Sequence, residues 1–126
     1  MMYLIDTNIF LEILLNQDKS EDCKKFLNDH IGLLNISEFS LHSIGVILYR
    51  QNEKSIFQDF IKDILPKINL INLPKTSYKK LNDISGKYKL DFDDTYQYLI
   101  CKFYSFELVT MDSDFKKVDT ILVNYI

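Results

Sequence analysis

The sequence predicts an α/β fold, and three observations carry that prediction. Short apolar runs alternate with longer amphipathic stretches along the chain, a pattern that builds strands and helices in turn. Five of the runs, "MYLI", "LLNI", "INLINL", "FELVT" and "ILVNYI", are too short for helices and rich in aliphatic and β-branched residues. No low-complexity linker or internal repeat interrupts them. The 126 residues therefore suit one domain over 1–126, because folding at this length buries roughly two-thirds of the unfolded surface.

Taken in order, the first strand is expected at residues 2–5, followed by a helix in which Ile9, Ile13 and Leu14 recur at helical spacing. Ser20 is a candidate cap for a second helix carrying Cys23, Phe26 and Leu27. After the strand "LLNI", Ser40 precedes Leu41, Ile44, Ile47 and Leu48, a third helical stripe. Residues 53–65 pair Ile56 with Phe57, Phe60 with Ile61 and Ile64 with Leu65 on one face and stop at Pro66. The strand "INLINL" is the one expected to lie less buried than the rest. Residues 76–88 carry Tyr78, Leu81 and Ile84 before Gly86. The last helix, in "DFDDTYQYLICKFY", starts at Asp93 or Asp94 and places Tyr96, Leu99, Ile100 and Phe103 on one face. These stripes face a core.

Composition narrows the function classes. A net charge of −3 argues against a protein that coats nucleic acid through overall positive potential. The lysine pairs Lys24-Lys25, Lys79-Lys80 and Lys116-Lys117 are expected on solvated faces. No apolar run approaches the roughly 20 residues that span a bilayer, and the opening "MMYLID" lacks a basic region followed by a long apolar one. The expectation is a soluble, cytoplasmic protein without a membrane partner. Cys23 and Cys101 sit far apart with no CxxC or Cys/His cluster, which leaves disulfide and zinc sites unsupported.

The acids are placed less evenly than the lysines. Asp6 follows the first strand run, Asp112 and Asp114 follow the fourth, and Asp94 opens the helix leading into it. In an open parallel sheet, ligands bind outside the carboxyl ends of the strands. Each acid has a local explanation, Asp94 as a helix cap and Asp112 as a turn acid. Asp6 ends a strand expected to be central, where a carboxylate is partly desolvated and its acidic neighbours repel it unless a cation holds them together. Oxygen ligands of this kind suit Mg²⁺ or Mn²⁺.

The segments "YLIDTNIFLEILL", "LDFDDTYQYLIC" and "LVTMDSDF", in that order and spanning nearly the whole chain, resemble the PIN-domain nucleases, and among them the small VapC-like ribonuclease toxins. The resemblance implies a mostly parallel β-sheet of about five strands flanked by α-helices on both faces. It also implies an acidic metal cluster of Asp6, Asp94 and Asp112, with Asp114 as an auxiliary acid and Thr110 supporting Asp6. Asp94 is preferred to Asp93 because it directly precedes Thr95, where the family has a small residue. The sequence departs from the family pattern at Ser43, which stands three residues past Ser40 where relatives often carry a glutamate. Glu38 is the acid offered instead. Glu12 and Asp91 are weaker replacements, and His42 suits a softer metal.

The chemistry implied is hydrolysis of a phosphodiester at Asp6, Asp94, Asp112 and Glu38 with one or two Mg²⁺ or Mn²⁺ ions, without a nucleophilic side chain. RNA is the implied substrate, its strand tracked by lysines and stacked on exposed aromatics. The implied partners are a small antitoxin protein and a second copy of the chain in a homodimer. Ser43 favours an alternative, a catalytically weakened PIN-like scaffold that binds RNA or protein. A phosphoryl-accepting receiver domain is disfavoured, since the acidic pair after its first strand and the lysine after its last are missing here.

Overall fold

Tyr3–Ile5, Leu34–Ser37 and Glu107–Thr110 are strands because their apolar residues are buried on both faces of a sheet, the situation in which strands read as near-continuous hydrophobic runs. The computed structural model describes residues 1–126 and contains five strands, β1 (Tyr3–Ile5), β2 (Leu34–Ser37), β3 (Asn69–Ile71), β4 (Glu107–Thr110) and β5 (Val123–Tyr125). They form one sheet in the order β3-β2-β1-β4-β5, and every neighbouring pair is parallel. Six α-helices connect and cover them: α1 (Thr7–Leu14), α2 (Ser20–Asp29), α3 (Glu38–Arg50), α4 (Lys54–Asp59), α5 (Leu81–Tyr88) and α6 (Phe92–Tyr104).

Alternation along the strands divides the core into two layers. Ile5, Ile36 and Val109 pack with Ile9 and Phe10 of α1, Leu27 of α2 and Ile44 and Leu48 of α3. Leu4 and Leu108 pack on the opposite face with Leu99 and Ile100 of α6, Tyr88 of α5 and Phe115. The sheet is thus flanked by helices on both faces, as expected. No helix is long and apolar enough to cross a membrane.

The chain order places the ligand-binding edge. It winds from β1 outward through β2 to β3, then returns across the sheet to β4 and β5 on the other side of β1. The reversal falls between β1 and β4, and a crevice opens at the carboxyl ends of strands at such a switch point. Asp6 leaves β1 there, Glu38 leaves β2, and Met111 and Asp112 leave β4.

Several boundaries differ from the sequence expectation. Strand β5 is half-buried rather than buried, because it is the outermost strand and pairs on one side only. Strand β3, at the opposite edge, is largely exposed, in line with expectation. The stretch expected as one helix over 53–65 is α4 followed by a wider π-helical turn at Phe60–Ile64 and a tight 3₁₀ turn at Leu65–Lys67. Pro66 lies in that last turn and has no N–H to continue the α ladder. Residues 75–80 likewise form a 3₁₀ segment, so the helix expected over 76–88 begins only at Leu81. Phe103 is exposed at the last turn of α6, while residues 94–101 of that helix are all buried.

Candidate functional site

The first acid is positioned by the end of β1. Asp6 has extended backbone and caps α1, its Oδ1 accepting the Thr7 N–H at 2.8 Å. The same oxygen accepts from Gln97 Nε2 at 3.2 Å, and Oδ2 accepts from Thr110 Oγ1 at 2.7 Å with a longer contact to Asn8 Nδ2 at 3.5 Å. Burial pushes the Asp6 carboxyl above the usual carboxylate range. The hydrogen bonds from Thr110, Gln97 and Thr7 oppose that shift, and the charge of Asp112 adds to it. Local cap and buried site acid are therefore the same residue, with both oxygens anchored.

The second acid comes from the opposite side of the sheet. α6 starts at Phe92 with Asp91 as its cap, not at Asp93 or Asp94, because Asp91 Oδ1 accepts the Asp94 N–H at 3.0 Å. That cap puts Asp94 in the first helical turn, buried, while Asp93 is exposed. Asp94 Oδ2 is buried without a hydrogen-bond partner. Its carboxyl is pushed up to about 8, first by burial and then by the charges of Asp112, Asp91 and Asp6.

The third position is the turn after β4. Asp112 Oδ1 accepts the Asp114 N–H at 2.8 Å and caps a 3₁₀ turn at Ser113–Lys117, and the Asp112 N–H donates to Thr110 Oγ1 at 3.0 Å. Thr110 thus holds the first and third acids together through one hydroxyl. One carboxylate oxygen each from Asp94, Asp112 and Asp114 lies within 4.8 Å of the others. Asp6 stands beside this trio and is not one of the three.

Glu38 lies in the first turn of α3, which is capped by Ser37 rather than Ser40. Ser37 Oγ accepts the Ser40 N–H at 3.0 Å, so the helix starts three residues earlier than expected. Glu38 is half-exposed and its Oε1 lies 3.7 Å from His42 Nε2, one turn along the same helix. Glu38, Ser43, Asp6, Asp91, Asp94 and Asp112 all line one cavity of about 1060 Å³. Glu12 is engaged elsewhere: its Oε2 accepts the Lys19 N–H at 2.8 Å, and Lys19 rather than Ser20 caps α2.

Sequence reasoning missed Gln97. Its Nε2 donates to Asp6 Oδ1 and also to Ser40 Oγ at 2.9 Å, and Ser40 in turn meets Thr7 Oγ1 at 2.8 Å and Ser37 Oγ at 3.1 Å. The network ties α1, α3 and α6 around the first acid. The available signal was spacing: a glutamine one turn after Asp94 on a buried helix falls on the same face as that acid. Asn8 was also passed over; its Nδ2 donates to Thr110 Oγ1 at 3.3 Å and its Oδ1 accepts the Met111 N–H at 3.3 Å. Gln97→Met keeps the length and removes both donated bonds. It is expected to lower stability by about 1–3 kcal/mol, measured by urea unfolding. A loss of less than about 0.5 kcal/mol would make Gln97 a bystander.

The donor set fits a hard divalent cation. Its members are all oxygens, one is buried without a partner, and burial followed by the charges of Asp112, Asp91 and Asp6 raises the proton affinity of Asp94.

The PIN domain family model matches residues 3–121. No curated protein matches the sequence. Among solved structures, the chain is similar to VapBC from Salmonella typhimurium, crystallised bound to DNA, with a TM-score of 0.83 and 12% identity over 99% of this chain and 98% of that one. It is similar to VapBC2 from Rickettsia felis bound to a promoter DNA fragment, with a TM-score of 0.80 and 15% identity over 100% and 99%. A third likeness is to VapC20 from Mycobacterium tuberculosis, a Sarcin-Ricin loop cleaving toxin, with a TM-score of 0.78 and 11% identity over 90% and 92%. At these identities the likeness is one of fold.

Proposed function

The chain belongs to the PIN-domain family, and on that premise we propose that it is a Mg²⁺- or Mn²⁺-dependent endoribonuclease acting as the toxin of a toxin–antitoxin pair. The observation that carries this reading is the convergence of Asp94, Asp112 and Asp114 at the carboxyl edge of the sheet, with an unpartnered Asp94 oxygen buried among them. Asp94, Asp112 and Asp114 would hold the cation, with Glu38 at the β2 end of the same cavity as a further oxygen donor. A divalent cation there would supply Lewis acidity toward a scissile phosphate and activate the attacking water.

The chain's own residues prepare that site. Burial, and then the charges of Asp112, Asp91 and Asp6, make Asp94 keep its proton, which it would give up to serve as an anionic ligand. Asp6 is fixed beside the trio by Thr7, Gln97 and Thr110. Asp112 is oriented by the Asp114 N–H. Cleavage of single-stranded and of structured RNA in Mg²⁺ or Mn²⁺, abolished by EDTA, is the expected result. No cleavage in either metal would select the scaffold reading, which Ser43 favours because it lines the cavity where relatives often carry a glutamate.

Glu38 gives this reading a second test. Glu38→Gln is expected to weaken Mn²⁺ binding severalfold by calorimetry, and Ser43→Glu to tighten it by returning an acid to α3. Equal Mn²⁺ affinity of wild type and Glu38→Gln would remove Glu38 from the site and leave the three aspartates.

A small antitoxin protein and a homodimer belong to the same proposal. Solved structures of this fold include a toxin–antitoxin complex from Klebsiella pneumoniae, which supports the antitoxin. Co-expression with the product of a neighbouring small reading frame, followed by light scattering, tests both: a 2:2 or larger complex is expected. A monomeric chain that captures nothing would set both partners aside.

A further inference from the structure

One wall of the acidic cavity is aromatic, and the scheme above does not use it. Phe39 of α3, Tyr78 of the 3₁₀ segment, and Phe92 and Tyr96 of α6 all line the cavity. Their ring centroids are 5.9 Å apart for Phe39–Phe92, 5.4 Å for Phe39–Tyr96, 6.1 Å for Tyr78–Tyr96 and 6.3 Å for Phe92–Tyr96. Tyr96 is the buried anchor of the group, its hydroxyl accepting the Leu73 N–H at 3.1 Å. Phe92 and Tyr78 are different: they keep 57% and 46% of their surface in solvent.

Phe92 meets Phe39 and Tyr96, yet the helix start does not account for a ring left more than half exposed. The cap at Asp91 and the placement of Asp94 need nothing from the ring between them, and a polar residue would leave less apolar surface in water. What the position does provide is nearness. Phe92 sits between the cap Asp91 and, two residues on, the site acid Asp94, so a group lying on the ring lies next to a phosphate held at the acids.

We propose that Phe92 and Tyr78 form a stacking subsite for an unpaired nucleobase of single-stranded RNA, beside the acids that take its phosphate. This rests on the ribonuclease reading and deepens it. A base is uncharged and presents a π-face, so stacking grips a nucleic acid in a cavity whose acids repel its backbone. Lys75 lines the same cavity and supplies an ammonium for a flanking phosphate. Bases in a duplex are already stacked on one another, so the subsite selects strands, loops and bulges. An apolar segment of a protein partner would also cover the rings, but it would leave Lys75 without an anion.

Calorimetric titration of the full-length chain in Mn²⁺ tests this with adenosine 5′-monophosphate and ribose 5-phosphate, which share the phosphate and sugar and differ by the base. The nucleotide is expected to bind about five- to hundredfold more tightly than the sugar phosphate. Phe92→Leu and Tyr78→Leu should lose most of that gap, Phe92→Tyr should keep it, and ribose 5-phosphate should bind all four proteins alike. Equal binding of the two probes to wild type overturns the proposal. So does a full gap in Phe92→Leu, the result expected if the wall receives a protein segment, and so does a gap lost as fully in Phe92→Tyr as in Phe92→Leu. Base-dependent binding by a chain that cleaves no RNA keeps the subsite and removes the nuclease reading. Metal-dependent cleavage with no base-dependent binding does the reverse.

Discussion

Asp94→Asn, Asp112→Asn and Asp6→Asn are each expected to lower metal-dependent RNA cleavage by at least about a hundredfold. The three losses arise differently. Asparagine at 94 or 112 discards an anionic oxygen from the converging trio, so affinity for the cation falls with the rate. Asparagine at 6 leaves the trio intact but places an amide among donors, since Gln97 Nε2, Thr110 Oγ1 and the Thr7 N–H all point at that carboxylate. Excess Mn²⁺ should therefore restore little activity to Asp6→Asn. Asp114→Asn should fall less, because its carboxylate is exposed and free to be replaced by water. Asp59→Asn on the exposed side of α4 is the control and should cleave as wild type does. Near-normal cleavage by any two of the Asp6, Asp94 and Asp112 variants would remove the mechanism.

The acids were legible in the sequence for a topological reason. Once β1 and β4 are parallel neighbours, residues that follow them emerge on the same edge, so Asp6 and Asp112 meet although 106 positions separate them. The preference for Asp94 over Asp93 rests on resemblance; in the structure the cap at Asp91 leaves Asp94 buried and Asp93 exposed. The helix starts were less legible. Ser37 and Ser40 are both good caps by composition, and only the end of β2 decides that Ser37 is used and Ser40 becomes a buried hinge of the Gln97 network. Gln97 itself was hidden because its partner Asp6 is 91 residues away and no local pattern marks a buried amide. Edge position is equally non-local: "ILVNYI" is as apolar as "FELVT", yet it forms the half-buried outer strand.

Removal of metal should expose the charge stored at Asp94. The repulsion that the sequence leads one to expect at Asp6 would place its relief at Asp6→Asn. The structure points to Asp94 as the better site, because its Oδ2 has no hydrogen bond to lose, whereas Asp6 forfeits several. The sign follows from linkage. Asp94 holds its proton up to about pH 8 in the folded chain and to about pH 3.9 when unfolded. Its contribution to stability is therefore complete below the unfolded value and is lost as pH rises through about 8. Asp6 is shifted in the same direction and steepens the trend. In EDTA, Tm is expected to fall between pH 5 and 8, and Asp94→Asn to melt several degrees higher than wild type at pH 8, the gap closing as pH falls toward about 4. Mn²⁺ inverts the order at pH 8. A ligand that binds only the folded chain stabilises it by about 2.7 kcal/mol when its free concentration is a hundred times Kd, and Asp94→Asn should receive much less of this. If Tm in EDTA is flat over that interval and Mn²⁺ raises both proteins equally, Asp94 carries no trapped proton and the trio does not hold a cation, whatever cleavage assays report.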